Sequence, residues 1–207
     1  MVCPEIGGLY AITPNQIDTE GLLIMTEQAL AGGVRLIQYR NKAAGTELLR
    51  EQAHALAHLC QKYSVPLIIN DHLGLAIEVK AAGLHIGQTD ISIREARYWL
   101  GKRKIIGASC YNCLDLAIRA EVQGFDYVAF GAFYASVTKP EAVPASIDLL
   151  HQAKKRLLTP VVAIGGINLI NAEILIKNGS NAIAVCSTLF CAQNIQSTAK
   201  QFSRLFY

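Results

Sequence analysis

Short apolar runs alternate with helical stretches eight times along the chain. Most of the runs are rich in β-branched residues and are bounded by glycine or polar residues, which is typical of strands buried on both faces of a parallel sheet. Eight strand–helix units without another segment predict a single-domain (β/α)8 TIM barrel over residues 1–207, whereas an open flavodoxin-like sheet would use five or six strands. The predicted strands are Gly8–Ile12, Val34–Tyr39, Leu67–Asn70, Leu84–Ile86, Ile105–Ser109, Tyr127–Phe130, Val161–Ile164 and Ala182–Val185.

Glycine recurs between a helical stretch and the following strand, which makes each unit resemble a copy of one module. A glycine just past a helix end commonly adopts the left-handed conformation that caps the helix. We predict such caps at Gly32-Gly33, Gly83, Gly124 and Gly179.

Composition narrows the class of protein. Of the 207 residues, 52% are hydrophobic and 17% are charged, as expected for a parallel sheet covered by helices. No apolar run reaches the roughly 18 residues that a membrane-spanning helix needs, and the first residues lack a signal-peptide pattern. We therefore expect a cytoplasmic protein with six reduced cysteines. The net charge of +3 is mild and dispersed, which argues against a nucleic-acid partner.

Functional residues of such a barrel lie at the C-terminal ends of the strands. Alternation along the second predicted strand places Leu36, Gln38 and Arg40 on one face, which changes from apolar to polar toward the strand end. Together with Lys42, the polar part of this face predicts a clamp for a polyanion, because arginine binds phosphate as a planar fork and lysine as a point charge. The alternative is a solvated loop that carries charges.

Two carboxylates follow the third and fourth strands. Asp71 and Asp90 would ordinarily be interpreted as helix caps. However, Ser92 and Glu95 form a capping box of their own, so we expect Asp90 to have no structural role. Carboxylates at adjacent strand ends, opposite a cationic clamp, suit Mg²⁺ bound together with a pyrophosphate.

A glycine pair follows the seventh strand, and the sequence from Ile167 predicts a helix directly after it. Paired glycines permit close approach of a ligand, and helix N-termini favour anions. Gly165 and Gly166, with the end of the eighth strand at Cys186 and Ser187, therefore predict a phosphate site. A tight strand-to-helix turn explains the glycine pair equally well.

The longest connection, 131–145, follows the sixth strand. A loop of this length in a compact chain is usually functional. Its Ser136, Thr138 and Lys139 supply hydroxyl donors and a cation beside the predicted phosphate site, so we interpret the segment as a lid.

Together, these strand ends resemble the thiamine phosphate synthase family over essentially the whole chain. Each motif is unspecific by itself, but the seven occur in order at the ends of successive strands. The resemblance implies a (β/α)8 transferase of thiamine biosynthesis that joins a hydroxymethylpyrimidine pyrophosphate to a thiazole phosphate and releases pyrophosphate. The motifs are Gln38-Tyr-Arg-Asn-Lys42, Ile69-Asn-Asp71, His85-Ile-Gly-Gln-Thr-Asp90, Ile106-Gly-Ala-Ser109, Thr138-Lys-Pro140, Val162-Ala-Ile-Gly-Gly-Ile167 and Ala184-Val-Cys-Ser187.

The resemblance also implies residue roles. Mg²⁺ would be bound by Asp71 and Asp90, and the pyrimidine would contact Asn70 and Ser109. The pyrophosphate would be held by Gln38, Arg40, Lys42 and Lys139. The thiazole phosphate would be held by Ser136, Thr138, Gly165, Gly166, Cys186 and Ser187. The residues expected to act in catalysis are Arg40, Ser109 and Lys139. The family's chemistry is dissociative, and it agrees with the absence of a visible nucleophile–base pair among the strand ends.

Some positions depart from the family pattern. They are Asn41 in place of Glu, His72 in place of Arg, Tyr111 in place of His, Ala135-Ser136 in place of Pro-Thr, and Ala145 in place of Gly. Ser136 keeps a hydroxyl for a phosphate, whereas Tyr111 and Ala145 bear on substrate preference and on the fit of the loop.

Other functions stay open. A thiazole tautomerase on the same barrel would need neither metal nor pyrophosphate clamp, so Asp90 and Lys139 favour the synthase. A non-catalytic regulator that binds thiazole phosphate, or another barrel enzyme acting on phosphorylated metabolites, would share the scaffold. A homodimer is also left open.

Overall fold

The computed structural model describes residues 6–88, 90–135 and 143–207. The strands are β1 (Gly8–Ile12), β2 (Leu36–Tyr39), β3 (Leu67–Asn70), β4 (Gly83–Ile86), β5 (Ile105–Tyr111), β6 (Tyr127–Phe130), β7 (Val161–Ile164) and β8 (Ala182–Val185). The helices are α1 (Thr19–Ala31), α2 (Thr46–Lys62), α3 (Leu73–Glu78), α4 (Ile93–Leu100), α5 (Leu114–Gln123), α6 (Ile147–Arg156), α7 (Ala172–Lys177), α8 (Ser187–Phe190) and α9 (Ile195–Arg204). Within these described ranges, no helix is both long and apolar enough to cross a membrane.

Each strand pairs in parallel with its sequence neighbours, and β1 pairs with β8 to close the sheet. The predicted (β/α)8 barrel is therefore confirmed. Five predicted strands have the observed bounds, while β2 begins two residues late and β4 one residue early. β5 extends beyond its predicted end to Tyr111, through a register shift after Ser109.

The predicted glycine caps are correct at three of the four helix ends. Gly33, Gly124 and Gly179 have φ of 96°, 87° and 117°, and the residue after each donates its N–H back into the last turn of α1, α5 or α7. The prediction is wrong at Gly83, which is a residue of β4. There a Cβ would lie 2.2 Å from the carbonyl oxygen of Ile105, so glycine is required by strand packing. The positive φ after α3 belongs to Lys80.

Two apolar layers stabilise the barrel. The outer layer lies between the sheet and the helices and includes Leu22, Leu56 and Leu150. The inner layer fills the barrel and includes Tyr10, Ile68 and Tyr127. Burial of both faces explains why the strands consist almost entirely of apolar residues.

Side chains inside the barrel become polar toward the C-terminal rim. On β2 the buried Leu36 is followed at two-residue intervals by Gln38 and Arg40. Alternation had predicted this face of β2, and it places the polar groups near one open end of the barrel.

Gly107 gives the Tyr127 ring the space to cross the interior. A Cβ on Gly107 would lie 2.0 Å from Cζ of Tyr127, and this ring is completely buried. The pairing of β5 with β6 sets these two residues opposite one another. A small residue on one strand and an aromatic residue on the next therefore occupy a single interior site.

We predict that Gly107→Ala destabilises the protein by about 1–3 kcal/mol or more, because the new methyl group overpacks the interior. Gly74→Ala is the matched control, since a Cβ on this exposed α3 residue meets no atom within 4 Å. The control should be neutral or stabilising by up to about 1 kcal/mol. Urea unfolding of both variants measures the difference, and equal behaviour would contradict the assigned role of Gly107.

Candidate active site

The C-terminal ends of all eight strands meet at one rim of the closed barrel. Each predicted site residue that the structure describes lies in a strand that ends at this rim, in the loop that follows such a strand or, for Ser187, at the first residue of α8. They are Gln38, Arg40, Lys42, Asn70, Asp71, Asp90, Ser109, Gly165, Gly166, Cys186 and Ser187. Ser136, Thr138 and Lys139 lie outside the described residues.

Asp71 joins the ends of three strands. Its N–H donates to the carbonyl oxygen of His85 in β4 at 2.9 Å, and its φ is 61°. Its Oδ2 lies 3.3 Å from Nζ of Lys42, beyond the end of β2. The lysine side chain is 57% exposed, so this ion pair contributes about 0–1 kcal/mol. Lys42 and Asp71 can therefore separate at little cost when a ligand arrives.

Asp90 has a structural contact that the sequence did not predict. Its Oδ2 accepts a hydrogen bond from the N–H of Gly87 at 2.6 Å, so the expectation of a residue without a structural role is wrong. Ser92 does cap α4, as predicted, by accepting from the N–H of Glu95. Tyr111, with φ 51° and 47% exposed, lies beside this turn. Asp90 thus braces the loop after β4 while staying exposed at the rim.

The carboxylates suit a magnesium ion that is completed by substrate oxygens. Mg²⁺ is typically bound by one or two carboxylates, several waters and the phosphates of a substrate. Among the described residues, no cluster of three or more His, Cys, Asp or Glu side chains could hold a metal alone. Asp71 and Asp90 at neighbouring strand ends therefore match the donor set of a substrate-completed site, and they do not form a protein-only cage.

Arg40 is fixed at the rim by β1. Its backbone N–H donates to Oγ1 of the buried Thr13 at 2.9 Å, and the same hydroxyl donates to its carbonyl oxygen at 3.3 Å. Burial holds the pKa of the Cys186 thiol above its usual value, and the positive charge of Arg40 offsets part of the rise.

The glycine pair lies directly beneath the start of the long loop. A Cβ on Gly165 would be 2.4 Å from Cβ of Ala132, and one on Gly166 would be 2.4 Å from the carbonyl oxygen of Ala135. Glycine is therefore required by the close approach of 132–135. The predicted helix start at Ile167 is wrong, because α7 begins at Ala172.

An Asx-type turn occupies the intervening residues. Oδ1 of Asn168 accepts from the N–H of Ile170 and Asn171, and Asn171 donates to the carbonyl oxygen of Gly166. Within the described parts of the chain, the N–H groups of Gly166 and Ile167 donate to no acceptor. Two backbone donors at this turn are consequently available for an anion.

A chain of hydrogen bonds crosses the barrel interior below the rim. Nε2 of Gln38 donates to the Tyr10 hydroxyl at 2.9 Å, and that hydroxyl lies 2.8 Å from the hydroxyl of Tyr127. Tyr127 is bonded to Nδ1 of His85 at 2.9 Å. Nε2 of His85 lies 2.8 Å from Oγ of Ser109. The chain therefore connects β2, β1, β6 and β4 to a rim residue of β5.

Sequence reasoning missed three members of this chain: Tyr10, His85 and Tyr127. Alternation along β1 and β6 does place both tyrosines on the inward face, which was the available signal. The structure also brings Ser109 into hydrogen-bond contact with His85, a contact that the sequence motifs do not predict. Gln38 is only 3% exposed, so it lies deeper than a clamp at the surface would. Burial raises the pKa of both tyrosines, which keeps their hydroxyls protonated.

A family model described as thiamine monophosphate synthase matches residues 9–189. The chain belongs to this family. It is 58% identical over 202 residues to the thiamine-phosphate synthase of Nitrosospira multiformis, covering 98% of this chain and 86% of that protein. It is 55% identical to the thiamine-phosphate synthase of Nitrosomonas eutropha, covering 98% and 95%. These matches make the chain an enzyme of the transferase class and give no support to the tautomerase or the regulator.

The solved structures agree with this family. A thiamine phosphate pyrophosphorylase from Pyrococcus furiosus superposes with a TM-score of 0.86 and 31% identity, covering 96% of this chain and 95% of that one. The match therefore covers almost the entire chain.

Two residues that depart from the family pattern, Asn41 and Ala145, are buried and hydrogen-bonded. Asn41 is buried, and its amide nitrogen donates to the carbonyl oxygen of Gln16 and to Oε1 of Gln52. Ala145 is also buried, and its N–H donates to the carbonyl oxygen of Ala132 at 2.7 Å. Asn41 therefore belongs to a polar cluster between β2 and α2. The hydrogen bond of Ala145 joins the end of the long loop to its beginning.

We predict that Gly166→Ala destabilises the protein more than Gly124→Ala does. Both glycines have positive φ, 60° and 87°, so alanine pays the left-handed penalty of about 1–2 kcal/mol at either site. Only Gly166 lies against a loop, because a Cβ on Gly124 meets nothing within 4 Å. Denaturant unfolding of the two variants compares them. Equal losses would contradict the assigned packing of 132–135 on the glycine pair.

Proposed function

We propose that the chain synthesises thiamine phosphate by joining hydroxymethylpyrimidine pyrophosphate to thiazole phosphate, with release of pyrophosphate. The observation that carries the proposal is the identity of 55–58% with two thiamine-phosphate synthases over almost the entire chain. The rim supports it, because cations, carboxylates and free backbone donors lie around a single opening. A cytoplasmic location remains a prediction of the sequence, which leaves a homodimer open.

In this proposal the pyrophosphate binds between β2 and β4. Arg40, Lys42 and Lys139 neutralise it, and Gln38 contributes from below through its remaining amide hydrogen. Asp71 and Asp90 would hold Mg²⁺ at this site. When bound, the ion supplies positive charge that stabilises the departing pyrophosphate. The exposed Lys42–Asp71 ion pair supports this arrangement, because a weak pair can break when stronger partners are present. Lys42 would then pair with the pyrophosphate, and Asp71 with Mg²⁺.

The thiazole phosphate binds across the ends of β7 and β8. Its proposed donors are the backbone groups of Gly165 and Gly166, together with Cys186, Ser187 and the hydroxyls of Ser136 and Thr138. The N–H groups of Gly166 and Ile167 support this placement, since neither donates to an acceptor among the residues that the structure describes. So does the bond from Oγ1 of Thr188 to the carbonyl oxygen of Ile167 at 2.8 Å, which ties the two strand ends together.

The pyrimidine lies between the two anion sites, against Asn70 and Ser109. The proposed reaction is dissociative: the C–O bond to pyrophosphate breaks with its electron pair, and the thiazole nitrogen captures the resulting carbon cation. Arg40, Lys139 and Ser109 act by stabilising the leaving group and orienting the ring. Fixed charges and dipoles at the site of developing charge are a major source of catalysis.

We predict that Arg40→Ala lowers kcat/KM for thiamine phosphate formation by about 10- to 100-fold, as expected for the loss of a charge-assisted hydrogen bond. Arg103→Ala is the matched control. Arg103 is exposed and precedes β5, so it lies at the opposite rim of the barrel. Near-normal turnover in a folded Arg40→Ala variant would remove this residue from the pyrophosphate site.

We predict that Asp90→Asn raises the Mg²⁺ concentration required for half-maximal activity by about tenfold or more, because a charged oxygen ligand becomes neutral. The amide oxygen can still accept from Gly87, so the loop should keep its conformation. Asp115→Asn, an exposed change in the first turn of α5, should leave the requirement unchanged. The Mg²⁺ dependence of initial rates gives the comparison, and full activity of the wild type in excess chelator would refute the metal assignment.

A further inference from the structure

The buried tyrosines fix the direction of the interior hydrogen-bond chain. Tyr10 and Tyr127 are at most 1% exposed, so each hydroxyl proton needs an acceptor inside the barrel. The Gln38 amide nitrogen can only donate, and it lies 2.9 Å from the Tyr10 oxygen. Tyr10 therefore accepts from Gln38 and directs its one proton to Tyr127, 2.8 Å away.

The same reasoning determines the tautomer of His85. Tyr127 accepts from Tyr10, so its own proton goes to Nδ1 of His85 at 2.9 Å. A neutral imidazole that accepts at Nδ1 carries its proton on Nε2. Nε2–H then donates to Oγ of Ser109 at 2.8 Å. The opposite direction would leave the Tyr10 proton without an acceptor among the described residues, in a fully buried position.

Packing also holds the His85 side chain. Its imidazole ring is stacked on the ring of Tyr127, with centroids 5.6 Å apart and an interplanar angle of 24°. Tyr127 in turn occupies the space left by Gly107. His85 is thus fixed at both nitrogens and on one face.

We propose that His85 is a positioning residue, which accepts from Tyr127 and donates to Ser109 so that the Ser109 proton is directed into the mouth. This inference rests on the proposed function and deepens it. Because Ser109 accepts from His85, its single proton is available to an acceptor of the substrate. A ring nitrogen of the pyrimidine is such an acceptor, and its hydrogen bond with Ser109 fixes the plane of the ring before pyrophosphate departs.

This arrangement differs from an activated serine nucleophile. There the imidazole must accept the serine proton at the nitrogen facing it, and a group that accepts from the other nitrogen orients the ring. Here the nitrogen facing Ser109 already carries the proton, and the Tyr127 hydroxyl donates to the other nitrogen. The pair orients Ser109 and does not ionise it, which agrees with a dissociative reaction.

A double-mutant cycle between Tyr127→Phe and Ser109→Ala tests the proposal. Tyr127→Phe keeps the ring and removes only the hydroxyl. It should lower kcat, and weaken calorimetric binding of hydroxymethylpyrimidine pyrophosphate, by about tenfold in the wild-type background, the typical effect of one hydrogen bond. In the Ser109→Ala background the same change should have little further effect, while KM for thiazole phosphate stays unchanged in all variants.

A purely structural role for Tyr127 would give equal losses in both backgrounds, and such additivity would overturn the proposal. Unfolding curves of the four proteins report the loss of stability separately from the coupling. If the wild type forms no thiamine phosphate, the proposed function fails. The cycle measured by binding of the pyrimidine pyrophosphate alone still decides the positioning role.

A second pair of variants is independent of the buried tyrosines. In His85→Gln the amide nitrogen reaches the position of Nε2 and can still donate to Ser109, whereas in His85→Asn it reaches only the position of Nδ1. We expect His85→Gln to keep kcat within about threefold of the wild type and His85→Asn to lose about tenfold, as for one missing hydrogen bond. Equal activity of the two variants would overturn the proposal.

Discussion

Closure of the eight-stranded parallel sheet is the constraint on which the rest of the structure depends. The last pairing, between β1 and β8, matches Leu9 with Ile183 and Tyr10 with Ala184. Once the sheet closes, every strand ends at the same rim, and residues far apart in sequence become neighbours. Lys42 and Asp71 illustrate this, since their contact joins the ends of two strands separated by a helix. The candidate active site is therefore built from the C-terminal ends of the strands.

Closure also creates an interior that must be filled. Two tyrosines fill part of it, and their hydroxyls bring polar groups to a depth where each must be paired. Gln38 and His85 provide those partners, and Gly107 provides the space for one of the rings. The polar layer below the mouth is therefore a consequence of filling the barrel interior with tyrosines, and it ends at Ser109. The hydrogen bonds that stabilise the interior are thus the ones that we propose orient the substrate.

The sequence predicted the fold well because doubly buried strands have a local signature. Gly8–Ile12 and Val161–Ile164 were located without error by continuous apolar runs between glycine or polar residues. Most rim residues are predictable for a related reason. Counting in steps of two from a buried residue such as Leu36 leads along the same face of the strand to Arg40.

The remaining features depend on contacts between distant segments. No local pattern shows that Tyr10 meets Tyr127 across the barrel, or that His85 contacts Ser109. From the sequence, Gly166 is interpreted as space for a ligand or as part of a tight turn, whereas the structure shows a loop lying against it. Asp90 was judged by its neighbour Ser92 alone, so its bond to the Gly87 amide was missed.

The central claim is that one barrel mouth joins two phosphorylated substrates. Phosphorus NMR of the wild-type protein with hydroxymethylpyrimidine pyrophosphate, thiazole phosphate and Mg²⁺ tests it most directly. We expect thiamine phosphate and inorganic pyrophosphate to accumulate in equal amounts, and neither to form when Mg²⁺ is chelated. Isomerisation of the thiazole phosphate without release of pyrophosphate would contradict the proposed synthase reaction.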